Sequence, residues 1–349
     1  MIQSVKLVSF RNHRELEFRF DNDVVLLVGA NALGKTNLLE ALHVGATGSG
    51  FRSGDGDLIN KQSANASLKI ESSGGVRKVK LEKQIDGLSR SFFIDEQQVR
   101  SRKKFEQNLP VVLFEPEDMR MLSGSPDLRR GWLDGLLSRI SPNYTKLLTG
   151  YSRALRQRNR LLKTGIRTED QYFVWELKLS EFGNLIVEQR KSLIEEINGQ
   201  LTELYQKISG GNERLEVEYE TPEGSYAAWL AGALRLRRDH DQRLGHTTLG
   251  PHREDFSVIR NDTPLISTGS RGEIRSAVLA LKLFEVAKIE QVTSMRPVLL
   301  LDDVLSELDK DRQKALLSSF NGHQTFITST DIDEHIASST NPQIINLAS

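Results

Sequence analysis

The stretch Gly29-Ala-Asn-Ala-Leu-Gly34-Lys35-Thr36 fills every fixed position of the G-x-x-x-x-G-K-[ST] pattern, and no other feature restricts the possible folds so severely. In such a loop the glycines let backbone N–H groups turn inward on phosphate oxygens. The lysine ammonium reaches the outer phosphates, the threonine hydroxyl binds magnesium, and the following helix presents its positive end to the anion. The flanking sequence provides the required setting. Val24 to Val28 (VVLLV) is apolar on both faces, as a buried central strand must be, and residues 36–43 (TNLLEALH) read as a helix. Gly29, Ala30, Asn31, Ala32, Leu33, Gly34, Lys35, Thr36 and Asn37 are therefore the expected contacts of a nucleoside triphosphate.

Residues 4–10 and 14–20 alternate as strands do, and between 66 and 95 three alternating stretches (SLKIE, VKLEK, SFFID) separated by Ser/Gly/Asp turns suggest an antiparallel meander. LPVVLF at 109–114 is another buried strand. From 127 the periodicity changes to three and four: residues 127–140, 142–163 and 172–208 read as amphipathic helices, the longest roughly 35 residues and without sustained heptads. Strand-like patches at 215–220 and 255–259 follow. Residues 298–303, a helix near 309–320, and strands at 324–329 and 344–347 return to α/β alternation. At 349 residues the chain is too long for one hydrophobic core. The expected division is a first lobe at 1–126 carrying the phosphate loop, a helical lobe at 127–296, and a completion of the first lobe at 297–349.

Two acids, Asp302 and Asp303, end the apolar run Val298 to Leu301, at the carboxyl end of a strand, where ligands of open α/β sheets gather. Asp302 suits the magnesium-binding acid of a Walker B strand and Asp303 a group that orients attacking water; the alternative is a helix N-cap. Lys35 and Asp302 lie roughly 265 residues apart, whereas compact P-loop folds keep these motifs within one small domain. Ser270-Arg-Gly272-Glu273 opens a helix read at 274–289. It is either a plain Ser/Gly helix start or a second anion site built from a serine hydroxyl and glycine amides.

Val304 to Asp309 (VLSELD) matches the D-loop of ABC-type ATPases, and the Ser270 segment resembles their signature motif. Longer blocks resemble the RecF family: an opening that ends Phe10-Arg11-Asn12-His13, GANALGKTNLLEAL, Phe114-Glu-Pro116-Glu117-Asp118, Gly124-Ser-Pro126 with Arg129-Arg130, Gln157-Arg158-Asn159, and Gly250-Pro251-His252-Arg253. The resemblance implies an α/β fold, an ABC-type P-loop ATPase head with an antiparallel β meander and an inserted mainly helical lobe. It implies ATP and Mg2+ as ligands, with Thr36 and Asp302 on the metal and Lys35 and Asp303 catalytic. It also implies a homodimer in which Ser270, Gly272 and Glu273 meet the partner's nucleotide. The implied role is DNA repair at single-strand gaps, with RecR and RecO as partners and RecA served indirectly. Asp303 stands where most ABC ATPases carry Glu, which implies slow turnover, and Glu273-Ile274 stands where two glutamines are expected. No switch histidine follows strand 324–329, so Thr328 or Ser329 takes that place, and Pro116 to Asp118 substitutes for the Q-loop. His323, ahead of that strand, is expected to be exposed.

Forty-seven basic residues balance forty-seven acidic ones, so DNA binding must come from a local basic surface. Arg153, Arg156, Arg160 and Lys163 share one helical face, which is either a phosphate-binding stripe or a solvated surface. Arg77, Lys78, Lys80 and Lys83 form a second candidate stripe, and Lys103 and Lys104 another. His252 and Arg253 either touch phosphate or close a turn. The absence of cysteine excludes disulfides and thiolate metal sites and suits a cytoplasmic protein, and no membrane-spanning run or signal peptide is expected. The competing reading is an ABC transporter ATPase subunit, which would require a membrane partner.

Overall fold

The computed structural model describes the chain apart from residues 31–32, 53–54, 86, 165–168, 332–339 and 348–349. Its elements begin with β1 (Ile2–Phe10), β2 (His13–Arg19), β3 (Val24–Val28), α1 (Lys35–Thr47), β4 (Asn65–Ser72), β5 (Gly75–Gln84), β6 (Gly87–Ile94), β7 (Gln97–Val99), α2 (Arg102–Gln107) and β8 (Val111–Phe114). The middle of the chain forms α3 (Arg120–Ser123), α4 (Pro126–Ile140), α5 (Pro142–Thr164), α6 (Glu169–Ser209), β9 (Leu215–Tyr219), α7 (Tyr226–Leu236), α8 (Arg238–Leu244), β10 (Phe256–Arg260), β11 (Thr263–Pro264), α9 (Leu265–Thr268) and α10 (Arg271–Thr293). Then come β12 (Val298–Leu301), α11 (Lys310–Ser318), β13 (Thr325–Ser329) and β14 (Gln343–Asn346). The chain divides into two compact units, one made of Met1–Asp118 with Glu285–Ser349 and the other of Met119–Phe284.

In the first unit the short apolar runs pair as a parallel sheet in the order β14-β3-β13-β12-β8, and the alternating segments form an antiparallel sheet in the order β2-β1-β4-β5-β6-β7. Helix α1 packs between them. Leu38, Leu39, Leu42 and Val44 share one buried cluster with Leu7, Leu68 and Val79 of the antiparallel sheet and with Val25, Leu27 and Leu300 of the parallel one. Parallel strands covered on both faces must be apolar throughout, which is why VVLLV and VLLL lack alternation. Gly45 permits the close approach of α1 to β4: a Cβ there would lie 2.3 Å from Ile70 Cδ1. The strand order also aligns the carboxyl ends of β3, β13 and β12, with Val28 opposite Ser329 and Ile327 opposite Leu301.

The second unit is mainly helical, with a small sheet in the order β11-β10-β9. Its longest helix, α6, runs 41 residues from Glu169 to Ser209, extending both ends of the stretch expected from periodicity. Leu179, Ile186, Leu193, Ile197, Leu201 and Tyr205 bury its inner face. This core also holds charge. Arg158, fully buried, pairs with Asp241 at 2.6 Å and Glu176 at 3.3 Å and donates to Thr247 Oγ1 at 2.9 Å and Leu234 O at 2.9 Å. Arg190 forks onto Asp134 at 2.9 Å and donates to Pro251 O at 2.7 Å. Buried ions require partners of this kind.

Two placements expected from sequence are corrected here. Arg77 lies on the inward face of β5 with Val79 and Leu81, where it donates to the carbonyls of Gly45, Ala46 and Phe105 and stacks 3.9 Å over the Phe105 ring. Side chains alternate across a strand, so Arg77 and Lys80 cannot share a stripe. His323 is buried, with Nε2 3.1 Å from Glu290 Oε2, because the turn before β13 folds back on the unit.

Candidate nucleotide site

The phosphate loop joins the buried end of β3 to the first turn of α1. Gly34 occupies the helix N-cap with φ +96°, a conformation that disfavours a side chain, and a Cβ there would lie 2.8 Å from the His13 ring. The β1–β2 hairpin thus backs the loop closely, and burial lowers the pKa of His13. Lys35 Nζ donates to Gly29 O at 2.5 Å and Ala30 O at 3.1 Å, so the ammonium is folded over the loop. Asn31 and Ala32 lie outside the described residues. Asn37 Nδ2 donates to Asn12 Oδ1 at 2.7 Å, tying α1 to the hairpin.

Asp302 emerges from β12 only 3% exposed. Its Oδ1 accepts the Thr36 hydroxyl at 2.8 Å and lies 3.0 Å from Thr328 Oγ1, while its Oδ2 pairs with Arg52 Nη2 at 3.1 Å. The two motifs, far apart in sequence, meet through a direct hydrogen bond. Thr328, at the end of the intervening strand β13, also accepts the Asp303 N–H at 2.8 Å. That contact holds Asp303 at φ +53°, a left-handed conformation uncommon for a residue with a side chain, and its carboxylate is exposed. Of the two switch candidates, Thr328 is the one that touches both acids.

Gly34, Lys35, Thr36, Asn37, Arg52, Pro116, Glu117, Asp302, Asp303, Thr328 and Thr330 line one cleft of about 270 Å³. Asn37 also borders a larger basin of about 880 Å³, walled by Arg11, Arg14, Lys61 and Lys83 with Asp57 as its acidic member. Glu40 organises the edge between them. Fully buried, it pairs with Arg11 at 2.6 Å and accepts the N–H groups of Phe51 at 3.3 Å and Arg52 at 3.2 Å. Sequence reading did not single out Arg52 or Glu40. For Glu40 a signal existed: a lone acid amid the otherwise apolar run Leu38-Leu39-Glu40-Ala41-Leu42.

In the second unit, Ser270 caps α10: its Oγ accepts the Glu273 N–H at 3.3 Å, while Glu273 Oε2 accepts the Ser270 N–H at 2.6 Å. This reciprocal pair is a capping box. Gly272, half-buried, lies in the first turn. Arg153, Arg156, Arg160 and Lys163 are exposed on α5, while Tyr151, Ala154, Arg158 and Leu162 face inward. Lys80 is exposed on β5, with Nζ 5.4 Å from the Phe93 ring centroid. His252 Nε2 donates to Thr247 O at 3.2 Å and its Nδ1 accepts the Tyr151 hydroxyl at 2.7 Å, and burial pushes its pKa down to about 4. Of its two readings, the structure favours the turn.

A family model described as RecF/RecN/SMC N terminal domain matches residues 1–344. The DNA replication and repair protein RecF of Rippkaea orientalis is 37% identical over 94% of this chain and 93% of its own. The same-named protein of Lachnoclostridium phytofermentans is 34% identical over 96% and 94%. A solved structure of the recombination mediator protein RecF with ATP in the RecFOR pathway is 31% identical and has a TM-score of 0.85, covering 95% of this chain and 92% of that one. An Smc head domain from Pyrococcus furiosus shares the fold at 17% identity and a TM-score of 0.55, over 99% and 92%. With matches along nearly its whole length, the chain belongs to the RecF family of SMC-type ATPase folds, whose named relatives are DNA replication and repair proteins.

Proposed function

We propose that this protein is an ATP-dependent DNA-binding protein of recombinational repair, which closes as a homodimer on ATP and reopens on slow hydrolysis. The observation that carries this reading is the Thr36–Asp302 hydrogen bond of 2.8 Å, which joins the phosphate loop to the acid of β12 in one cleft. The loop from Gly29 to Asn37 takes the phosphates, and the adjoining cationic basin takes the sugar and base. The hard oxygen donors of Thr36 and Asp302, beside a phosphate-binding loop, fit Mg2+, which when bound would neutralise phosphate charge. Lys35 steadies the outer phosphates. Asp303, exposed and fixed by its N–H to Thr328, orients water for attack; a shorter acid than the Glu usual in ABC ATPases favours slow turnover.

Each protomer carries one phosphate loop and one Ser270 segment, so the composite site needs two chains related by a two-fold axis. Ser270, Gly272 and Glu273 then meet the partner's nucleotide. The outward Arg153, Arg156, Arg160 and Lys163 of α5, with Lys80 of β5, contact DNA phosphates without reading sequence. RecR and RecO are the expected protein partners, in the cytoplasm, with RecA loaded at single-strand gaps as the outcome. Among the described residues no helix is long and apolar enough to cross a membrane. Asp303→Asn is expected to bind ATP and accumulate dimers, whereas Lys35→Ala loses both. Equal dimerisation of the two variants by light scattering would count against the proposal.

A further inference from the structure

The capping box at the start of α10 contains a chemical conflict. A loop that meets a triphosphate across a dimer should present N–H and O–H donors, yet its third side chain is Glu273, a carboxylate at the position that would face the anion. The structure shows how both oxygens of that carboxylate are used. Oε2 accepts the Ser270 N–H at 2.6 Å, and Oε1 pairs with the guanidinium of Arg260. Arg260 Nη2 also lies 3.4 Å from Thr268 O, reaching the segment just before Ser270. The Arg260 side chain is 17% exposed and that of Glu273 27%, so the pair is only partly open to screening by water and salt.

The fold delivers Arg260 to this place by a specific route. It is the last residue of β10, and the chain reverses at once through Asn261 and Asp262, both at positive φ, so that β11 pairs back with Arg260 opposite Thr263. Two consecutive left-handed residues make the tight hairpin that ends the strand at the arginine. Thr263 Oγ1 fixes the corner by donating to Arg260 O at 2.8 Å.

We propose that Arg260 is a positioning residue for the composite nucleotide site: by neutralising Glu273, it lets an acidic capping box approach the partner's γ-phosphate. This inference rests on the homodimer reading above. It makes Arg260 and Glu273 a coupled pair. Without the arginine the carboxylate faces the phosphate uncompensated; with glutamine at 273 the cap remains, no charge needs cancelling, and Arg260 becomes dispensable.

The test is a double-mutant cycle on the full chain, following Mg-ATP-dependent dimerisation by sedimentation for wild type, Arg260→Ala, Glu273→Gln and the double variant. The expected result is a loss of about tenfold or more in dimer affinity for Arg260→Ala, the scale of an uncompensated like charge at an interface, and a loss under about twofold when the same change is made in Glu273→Gln. An arginine that merely held the backbone at Thr268 would lose the same factor in both backgrounds, which overturns the inference. If Arg260→Ala fails to fold, Arg260→Met replaces it in both backgrounds. A wild type that stays monomeric with Mg-ATP overturns the dimer reading itself, whereas a wild type that dimerises with no coupling overturns only the role of Arg260.

Discussion

Arg158 offers the sharpest energetic test, because it lies on the same helix as the exposed basic stripe yet does the opposite job. Fully buried, it carries ion pairs to Asp241 and Glu176 and hydrogen bonds to Thr247 and the Leu234 carbonyl. Arg158→Ala strips these away. Glu176 keeps Arg238 at 2.9 Å, but Asp241, also fully buried, keeps among the described residues the Thr248 N–H at 3.2 Å and hydroxyl at 2.6 Å and no cation. An orphaned buried charge of this kind costs about 3–5 kcal/mol. For a unit of this size that lowers the midpoint by roughly 6–20 °C. The three tryptophans, Trp132, Trp175 and Trp229, all lie within Met119–Phe284, so their fluorescence reports this unit. Arg156 lies on the exposed face of the same helix, so Arg156→Ala is the control and should shift the transition by less than about 0.5 kcal/mol. A tryptophan-monitored urea transition in which Arg158→Ala costs under about 1 kcal/mol would refute the reasoning.

Gly45→Ala should destabilise the first unit by about 1–3 kcal/mol through overpacking against Ile70, and Ile70→Ala in the same chain should recover part of it; a neutral Gly45→Ala in a denaturant titration would show that α1 can shift freely. His252 is held neutral by burial, with its pKa near 4. Because the folded value lies below the usual 6.5, its contribution is complete above about pH 6.5 and is lost as pH falls toward 4, by up to about 3 kcal/mol. His252→Gln should flatten that part of the stability profile between pH 7 and 4. For DNA, replacing Arg156 and Arg160 together should flatten the slope of log affinity against log salt by roughly 0.9 for each phosphate no longer neutralised. An unchanged slope moves the DNA surface off α5.

Local pattern alone located most elements that build the nucleotide cleft. The phosphate loop was legible because its glycines, lysine and threonine act at fixed spacing, and β3 and β12 because a strand buried on both faces has no polar positions to spare. The α5 stripe was visible for the same reason: helical spacing puts Arg153, Arg156 and Arg160 on one face. Where period was ignored the reading failed, since alternation along β5 already separates Arg77 from Lys80. Helices α2, α3, α7, α8 and α9 were missed, with α7 and α8 lying between the strand-like patches at 215–220 and 255–259.

Sequence therefore determined that a phosphate loop, an acidic strand end and a serine cap exist, because each is a short-range arrangement of side chains on one element. Only the tertiary structure decided that Thr36 touches Asp302, that Thr328 links the two acids, and that Arg52 and Glu40 belong to the same site. It also decided which arginines are buried supports and which face solvent. These outcomes depend on strand order and on pairings across hundreds of residues, and a hydrogen bond between distant side chains leaves no periodic trace in the chain that forms it.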